Sequence, residues 1–295
     1  MKFSKILFPV DFSIRSHAAV PHVRTMAEQF NASVTLLHVM ERPPAWPDAT
    51  NGGDYPPLDV PRMMEYANEH LSVFAAAELP SADVARLVEE GDPGSMITEV
   101  ATARSVDLIM MPTAGHGLFR SALLGSTAAK VLHDAHCAVW TGAHLEDAEI
   151  PKHTAVRTIL CALDLEEGSL DLLKKTKHLA EAFDATALIA HSVPIVEATP
   201  EMYLDKPLDM YLRDNAILHA ATLQEKAGTA FESVVEFGAV SDVVRTVSQR
   251  FNVDLVVIGR GALAHFTGRL RTNVYGVIRE AGCPVLSFPP REIIL

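Results

Sequence analysis

Residues 5–11 read KILFPVD, and residues 158–164 read TILCALD. Each is a short apolar run closed by an aspartate, the pattern of a strand buried on both faces that ends at a polar edge. The recurrence extends outward from that pair. FNASVTLLHV at 30–39 returns as FDATALIAHS at 183–192, SVDLIMMP at 105–112 as NVDLVVIG at 252–259, and HDAHCAVW at 133–140 as REAGCPVL at 279–286. The offset shrinks from 153 to 146 along the chain, so the second copy is shorter in its loops. A period this long marks a duplicated domain, because solenoid repeats run to about 20–50 residues. The polar stretch HLEDAEIPKHTAVRT at 144–158 is the joint, which gives a first domain over 1–147 and a second over 155–295. Each is large enough to bury its own core.

Within a copy, strand and helix patterns alternate. KILFPV is followed by SHAAVPHVRTMAEQF, with apolar residues at helical spacing, and then by the strand ASVTLLHVM. The segment 43–61 holds six prolines and two adjacent glycines and reads as a loop with Trp46 and Tyr55 in it. A helix over 62–78, a strand in ARLVEEGDP, a helix in GSMITEVATARS, the strand VDLIMMP, a helix ending at His133 and the strand CAVWTG complete the copy. Apolar strands separated by helices imply an α/β layer, a parallel sheet covered on both faces.

Composition narrows the function. The formal net charge of −12 disfavours nucleic acid and anionic membranes as partners. No tract is apolar and long enough to span a bilayer, and the amino-terminal apolar run is cut short by Pro9 and Asp11, so a cytoplasmic location is expected. Cys137, Cys161 and Cys283 are too few and too scattered for a disulfide framework and read as buried thiols.

The glycine-rich stretch MPTAGHGLFRSALLGSTAAKVL at 111–132 leaves a strand and enters a helix. Gly125, Ser126 and Thr127 stand at that helix start, where free backbone N–H groups and the helix dipole favour an anion such as phosphate. Gly115, nine residues, then Gly125-Ser126, together with Asp11 closing the first strand, resemble the nucleotide-binding pattern of the universal stress protein family, in which G-x2-G-x9-G-[ST] follows the fourth strand. The resemblance covers almost the whole chain, twice. It implies two tandem flavodoxin-like (Rossmann-like) domains, each a five-stranded parallel sheet of order 3-2-1-4-5 with helices on both faces. It implies ATP, or the related AMP or ADP, in the first domain, with Mg accompanying the phosphates. By that resemblance Asp11 meets the base or ribose end, Pro9 and Val39 wall the adenine, and Gly115, Gly125, Ser126 and Thr127 hold the phosphates. Pro112 replaces the first glycine of the pattern and changes the shape of the loop, while Gly117 restores part of the lost freedom.

In the second copy Asp164 is kept, but Ala262 occupies the second glycine position and Arg271, Thr272 and Asn273 replace the G-[ST] pair, so its site is degenerate. Arg260, Arg269 and Arg271 read as a solvated basic face. Family members pair through the final strand, which implies an intrachain pseudo-dimer of the two domains and allows a further homodimer. The expected role is a nucleotide-dependent module of the stress response, its occupancy ordering 113–127 and 43–61 and so altering a surface offered to a protein partner.

Rival motifs are weaker. GRGALA at 259–264 fits the dinucleotide fingerprint G-x-G-x-x-A, but it comes with one strand left in the chain instead of at a first β-α turn. His133, His136 and Cys137 lack a zinc-like partner set, and His38 and His191 sit at matching strand ends, where packing explains them. Ser13 and Ser126 have no nucleophile elbow around them. With no recognisable base or arginine finger, slow ATP hydrolysis is the most catalysis expected. A nucleotide-independent interaction module, or an adenylate- or flavin-associated enzyme on the same layered fold, are the alternatives.

Overall fold

The computed structural model describes residues 2–41, 59–79, 83–113, 124–142, 154–166, 168–195, 207–261 and 269–290. The first copy runs β1 (Lys5–Pro9), α1 (Ile14–Phe30), β2 (Ser33–Met40), α2 (Val60–Val73), β3 (Val84–Glu90), α3 (Pro93–Ala103), β4 (Leu108–Met111), α4 (Ser126–Asp134) and β5 (Ala138–Thr141). The second runs β6 (Thr158–Ala162), α5 (Ser169–Phe183), β7 (Thr186–Val193), α6 (Leu208–Ala227), β8 (Glu232–Phe237), α7 (Val240–Arg250), β9 (Leu255–Gly259), α8 (Arg269–Glu280) and β10 (Val285–Phe288). All ten strands form one sheet of order β3-β2-β1-β4-β5-β10-β9-β6-β7-β8. Each half is thus a parallel 3-2-1-4-5 sheet, and the two meet along an antiparallel β5–β10 seam.

The continuous apolar strands supply two cores by simple alternation, since successive side chains of a strand point to opposite faces. Ile6 and Phe8 enter one core with α1, α2 and α5, while Leu7 enters the other with α3, α4, α7 and α8. The duplicate strand divides the same way, with Ile159 and Cys161 on the first face and Leu160 on the second. Burial pushes the thiols of Cys137, Cys161 and Cys283 up to about 11, 12 and 12, which leaves them protonated and inert.

Helix α2 begins two residues before the expected 62. Asp59 accepts a hydrogen bond from the Arg62 N–H, and Pro61 sits in the first turn, where its missing donor costs nothing. The helix stops at Val73, short of 78, with Ala75 in the left-handed region at φ 52°. The remainder of the proline-rich segment, with Trp46 and Tyr55, lies outside the described residues.

The seam is nearly symmetric. Thr141 faces Val285 and Ser287 faces Val139, an exchange of equivalent positions about the central Trp140–Leu286 pair. The Thr141 hydroxyl donates to the Val285 carbonyl (3.2 Å) and its counterpart Ser287 donates to the Val139 carbonyl (3.1 Å), both buried. Phe30 and Phe183, also equivalent, meet edge to face at 5.8 Å where α1 and α5 end. This is the self-complementary contact of a twofold dimer, made within one chain.

Arg260 breaks the symmetry. It corresponds to Thr113 of the first copy, and instead of lying on a solvated basic face it is 4% exposed. Its guanidinium donates to the Leu132 carbonyl (2.9 Å) and to the Cys137 carbonyl, tying the end of β9 to the end of α4 and the start of β5. Burial draws it down to about 10, still protonated at neutral pH. The side chains of Arg269 and Arg271 lie outside the described residues. Truncating Arg260 strands two buried acceptors at roughly 1–3 kcal/mol each. Arg260→Met is therefore expected to lower the unfolding free energy by about 3 kcal/mol in urea denaturation, whereas Arg245→Met, on the surface, leaves it within about 0.5 kcal/mol.

Beside the seam lies a cleft of about 250 Å³ between the copies. The ring of His22 on α1 lies tilted against that of Trp140 on β5 there, 4.9 Å between centroids, and Arg15, Asp254 and Cys283 are the other titratable groups that face it. Burial pulls the His22 imidazole from its ordinary 6.5 to about 4. A histidine whose charged form is disfavoured in the fold binds fewer protons folded than unfolded, so stability falls as pH drops through that window. In denaturation between pH 7 and pH 4, wild type is expected to lose about 2–3 kcal/mol more than His22→Phe.

Candidate functional site

Strands β2 and β3 lie on one side of β1 and strands β4 and β5 on the other, which makes the gap between β1 and β4 the point where strand order reverses. Ligands of open α/β sheets settle at the carboxyl ends of strands at such a point. In the parallel β1–β4 pair, Leu7 faces Ile109. Pro9 ends β1, Asp11 follows it by two residues, Val39 is next to last in β2, and Pro112 follows β4. Gly125 precedes α4, and its N–H bonds to the Thr113 carbonyl at 2.9 Å. That bond sets the start of α4 directly beside the strand end. Pro9, Asp11, Val39, Pro112, Gly125, Ser126 and Thr127 thus share the carboxyl edge of the sheet, all at least partly accessible. Gly115 and Gly117 lie outside the described residues.

Asp11 is held by its own turn. Its Oδ1 accepts from the Ser13 N–H (3.0 Å) and from the Ser16 hydroxyl (2.5 Å). Ser13 caps α1 by accepting from the Ser16 N–H at 3.2 Å. Between them Phe12 takes φ 60°, a costly conformation for a bulky residue, and its ring lies 4.5 Å from that of His38. His38 in turn bonds through Nδ1 to the Val10 carbonyl at 2.8 Å, fastening the end of β1 to β2.

Most of this hook recurs in the second copy, but the Ser13 cap does not, since Glu166 stands in its place and, among the described residues, α5 starts from Gly168 with no side-chain cap. Asp164 Oδ1 accepts from the Glu166 N–H (3.0 Å) and the Ser169 hydroxyl (2.9 Å), Leu165 takes φ 63°, and His191 Nδ1 bonds to the Leu163 carbonyl at 2.8 Å. Ser16 carries no catalytic motif and was missed as a site residue. The signal for it was the shared D-x4-S spacing of Asp11–Ser16 and Asp164–Ser169.

The two copies differ at the helix that follows the fourth strand. Gly125 adopts φ −59° and ψ 146° as the N-cap of α4, and among the described residues no side chain caps that helix. Asp59 and Asp92, by contrast, spend their carboxylates on the first N–H groups of α2 and α3. In α4, the amino-terminal donors and the positive end of the dipole therefore remain available to an incoming anion. The second copy has a cavity of about 960 Å³ at the corresponding edge, lined among others by Asp164, His191, Gly259, Arg260 and Asn273. Ala262 lies outside the described residues.

Among the described residues no group of three or more His, Cys, Asp or Glu side chains is placed to hold a metal ion. His133 instead pairs with its neighbour Asp134 at the surface. Nor is any described helix long and apolar enough to cross a membrane.

A twice-repeated five-stranded layer with an aspartate hook and a glycine-capped helix at the switch point defines a class of duplicated α/β proteins. The family model of the universal stress protein family matches residues 2–141 and again 155–289, and the chain belongs to that family. A universal stress protein of Methanocaldococcus jannaschii is 32% identical over 46% of this chain and 80% of its own length. Universal stress protein A homolog 1 of Coxiella burnetii is 33% identical over 48% of this chain and 98% of its own. Each relative thus matches about half of this chain, as a single-copy relative of a duplicated protein does. The crystal structure of a universal stress protein from Archaeoglobus fulgidus superposes over 99% of this chain and 98% of its own with a TM-score of 0.66 at 20% identity. A protein of unknown function from Pseudomonas aeruginosa does so with 0.67 at 16% identity, over 99% and 94%. Both share the fold.

Because both aspartates fasten strained turns, each contributes to stability whatever it binds. Asp11→Ala is expected to cost about 2 kcal/mol of unfolding free energy and the more exposed Asp164→Ala about 1 kcal/mol, read from denaturant midpoints.

Proposed function

We propose that the first repeat binds an adenine nucleotide, ATP with AMP or ADP as related ligands, and works as a nucleotide-dependent module of the stress response. The observation that carries this reading is the start of α4. A glycine cap, without a side-chain hydrogen bond among the described residues, stands at the first turn beside the strand order reversal, and small hydroxyl residues Ser126 and Thr127 follow it. Such a helix start suits a phosphate without any basic side chain. Asp11, pinned by Ser13 and Ser16, offers an acceptor at the far side of the same gap for ribose or base hydroxyl and amino groups, with Pro9, Val39 and Pro112 as apolar walls. Mg would arrive with the phosphates, since that ion keeps most of its waters and needs few protein ligands.

Binding, more than turnover, is the activity this geometry supports. The second repeat retains the hook but not the glycine-serine pair, and we assign it no triphosphate. Its conserved turn supports the fold, and its cavity is left without the phosphate end.

Gly125→Asp separates function from folding. Aspartate is a favoured N-cap residue and the backbone at Gly125 accepts it, so α4 should gain about 0.5–1 kcal/mol. The same carboxylate fills and repels the phosphate position. In isothermal titration calorimetry the variant is expected to lose at least tenfold in ATP affinity while melting no lower than wild type. Unchanged ATP affinity would refute the placement of the phosphates.

A further inference from the structure

The cleft between the repeats is separate from the switch-point site. Asp11, Val39 and Gly125 do not line it, and Pro112 is the one wall the two have in common. One side is made by α1 and the ends of β4 and β5, the other by residues 154–156 and the starts of β9 and β10. It exists because the antiparallel seam sets the carboxyl edge of the first sheet against the amino edge of the second.

Its walls have a definite chemistry. The His22 ring lies tilted by 44° against the buried Trp140 and forms the aromatic side, with Met26, Val156 and Leu255 as further apolar surface. At about 250 Å³ the space suits one or two rings, below the usual range for larger ligands of about 300–1,000 Å³. Among the described residues the His22 ring makes no hydrogen bond, although it is half-buried, and burial keeps it neutral, with one nitrogen a donor and the other an acceptor.

The hydroxyls beside it are committed in one direction. Thr25 donates to the Pro21 carbonyl (3.0 Å), so in its 2.6 Å contact with Thr154 the proton comes from Thr154. Both hydroxyls have then used their donors, and only lone pairs remain toward the cleft. Asp254 spends Oδ2 on the Arg157 and Thr158 N–H groups at 2.8 and 2.9 Å, which leaves acceptor capacity on its other oxygen. The cleft is therefore rich in acceptors. Arg15 and Asp254 oppose one another in charge, which favours an uncharged occupant over an ion of either sign.

We propose that this inter-repeat cleft is a second ligand site, for a small uncharged heteroaromatic molecule that packs against the half-buried His22 ring beside Trp140 and donates N–H groups to the acceptors around it. It acts independently of the nucleotide site on the opposite side of Pro112.

The chain has two tryptophans, so Trp46→Phe leaves Trp140 as the single indole reporter. In that background, cytosine and adenine serve as neutral one- and two-ring probes with N–H donors, and pyrimidine as a ring without them. A saturable change in Trp140 emission with cytosine or adenine is expected, persisting in saturating ATP, and at least tenfold weaker with pyrimidine. His22→Phe keeps an aromatic ring against Trp140 but removes both nitrogens, and should weaken the probe tenfold or more while circular dichroism and melting stay close to wild type. Should His22→Phe fail to fold, Ala18→Phe, which fills the cleft from α1, must abolish the response in its place. No saturable response to either probe, displacement of the probe by ATP, or equal affinity in the ring-preserving variant would each overturn the proposal.

Discussion

The antiparallel contact of β5 with β10 is the constraint from which the rest of the molecule follows. Within each half all strands are parallel, so reversing direction at the seam sends the carboxyl edges of the two halves to opposite edges of one sheet. The two candidate ligand edges are thereby kept apart, and each is set beside the amino edge of the other repeat. The seam is closed by paired hydroxyls, Thr141 and Ser287, that each satisfy a carbonyl of the opposing strand in a buried setting. Buried polar atoms of this kind are costly unless paired, so the seam has one register in which all its groups are satisfied.

The copies diverge after the fourth strand, where the Gly125-Ser126 pair of the first has no counterpart in the second. In the first, the Thr113 carbonyl accepts from the Gly125 N–H, and among the described residues no side chain caps the helix start. In the second, the equivalent Arg260 turns away from solvent and becomes a tie between the repeats. The same structural slot thus serves a ligand-accessible helix end in one copy and inter-repeat cohesion in the other. The aspartate hook, by contrast, is common to both, with its strained Phe12 or Leu165 and its strand-end histidine. A feature kept in both copies serves the fold first, whereas one kept only in the first copy is the better guide to its ligand.

Much of this could be read before the coordinates. Periodicity and duplication yielded the strand and helix alternation, because strands covered on both faces must be apolar throughout. The start of α4 was legible from Gly125-Ser126 for the same local reason. Helix α2 was placed two residues late because Pro61 was counted as a loop residue, although proline is welcome in a first turn when Asp59 caps it. Arg260 was misread since its partners, the Leu132 and Cys137 carbonyls, lie more than a hundred residues away and belong to the other repeat. Charge pattern carries no trace of such a contact. The His22–Trp140 cleft was equally invisible, being made by residues that only the seam brings together.

The central claim is that one repeat of two holds an adenine nucleotide. Native mass spectrometry of the intact chain, equilibrated with Mg and a saturating excess of ATP, measures that occupancy directly. The account predicts a single population shifted by one ATP per chain. A spectrum with no bound nucleotide, or with two per chain, would contradict it.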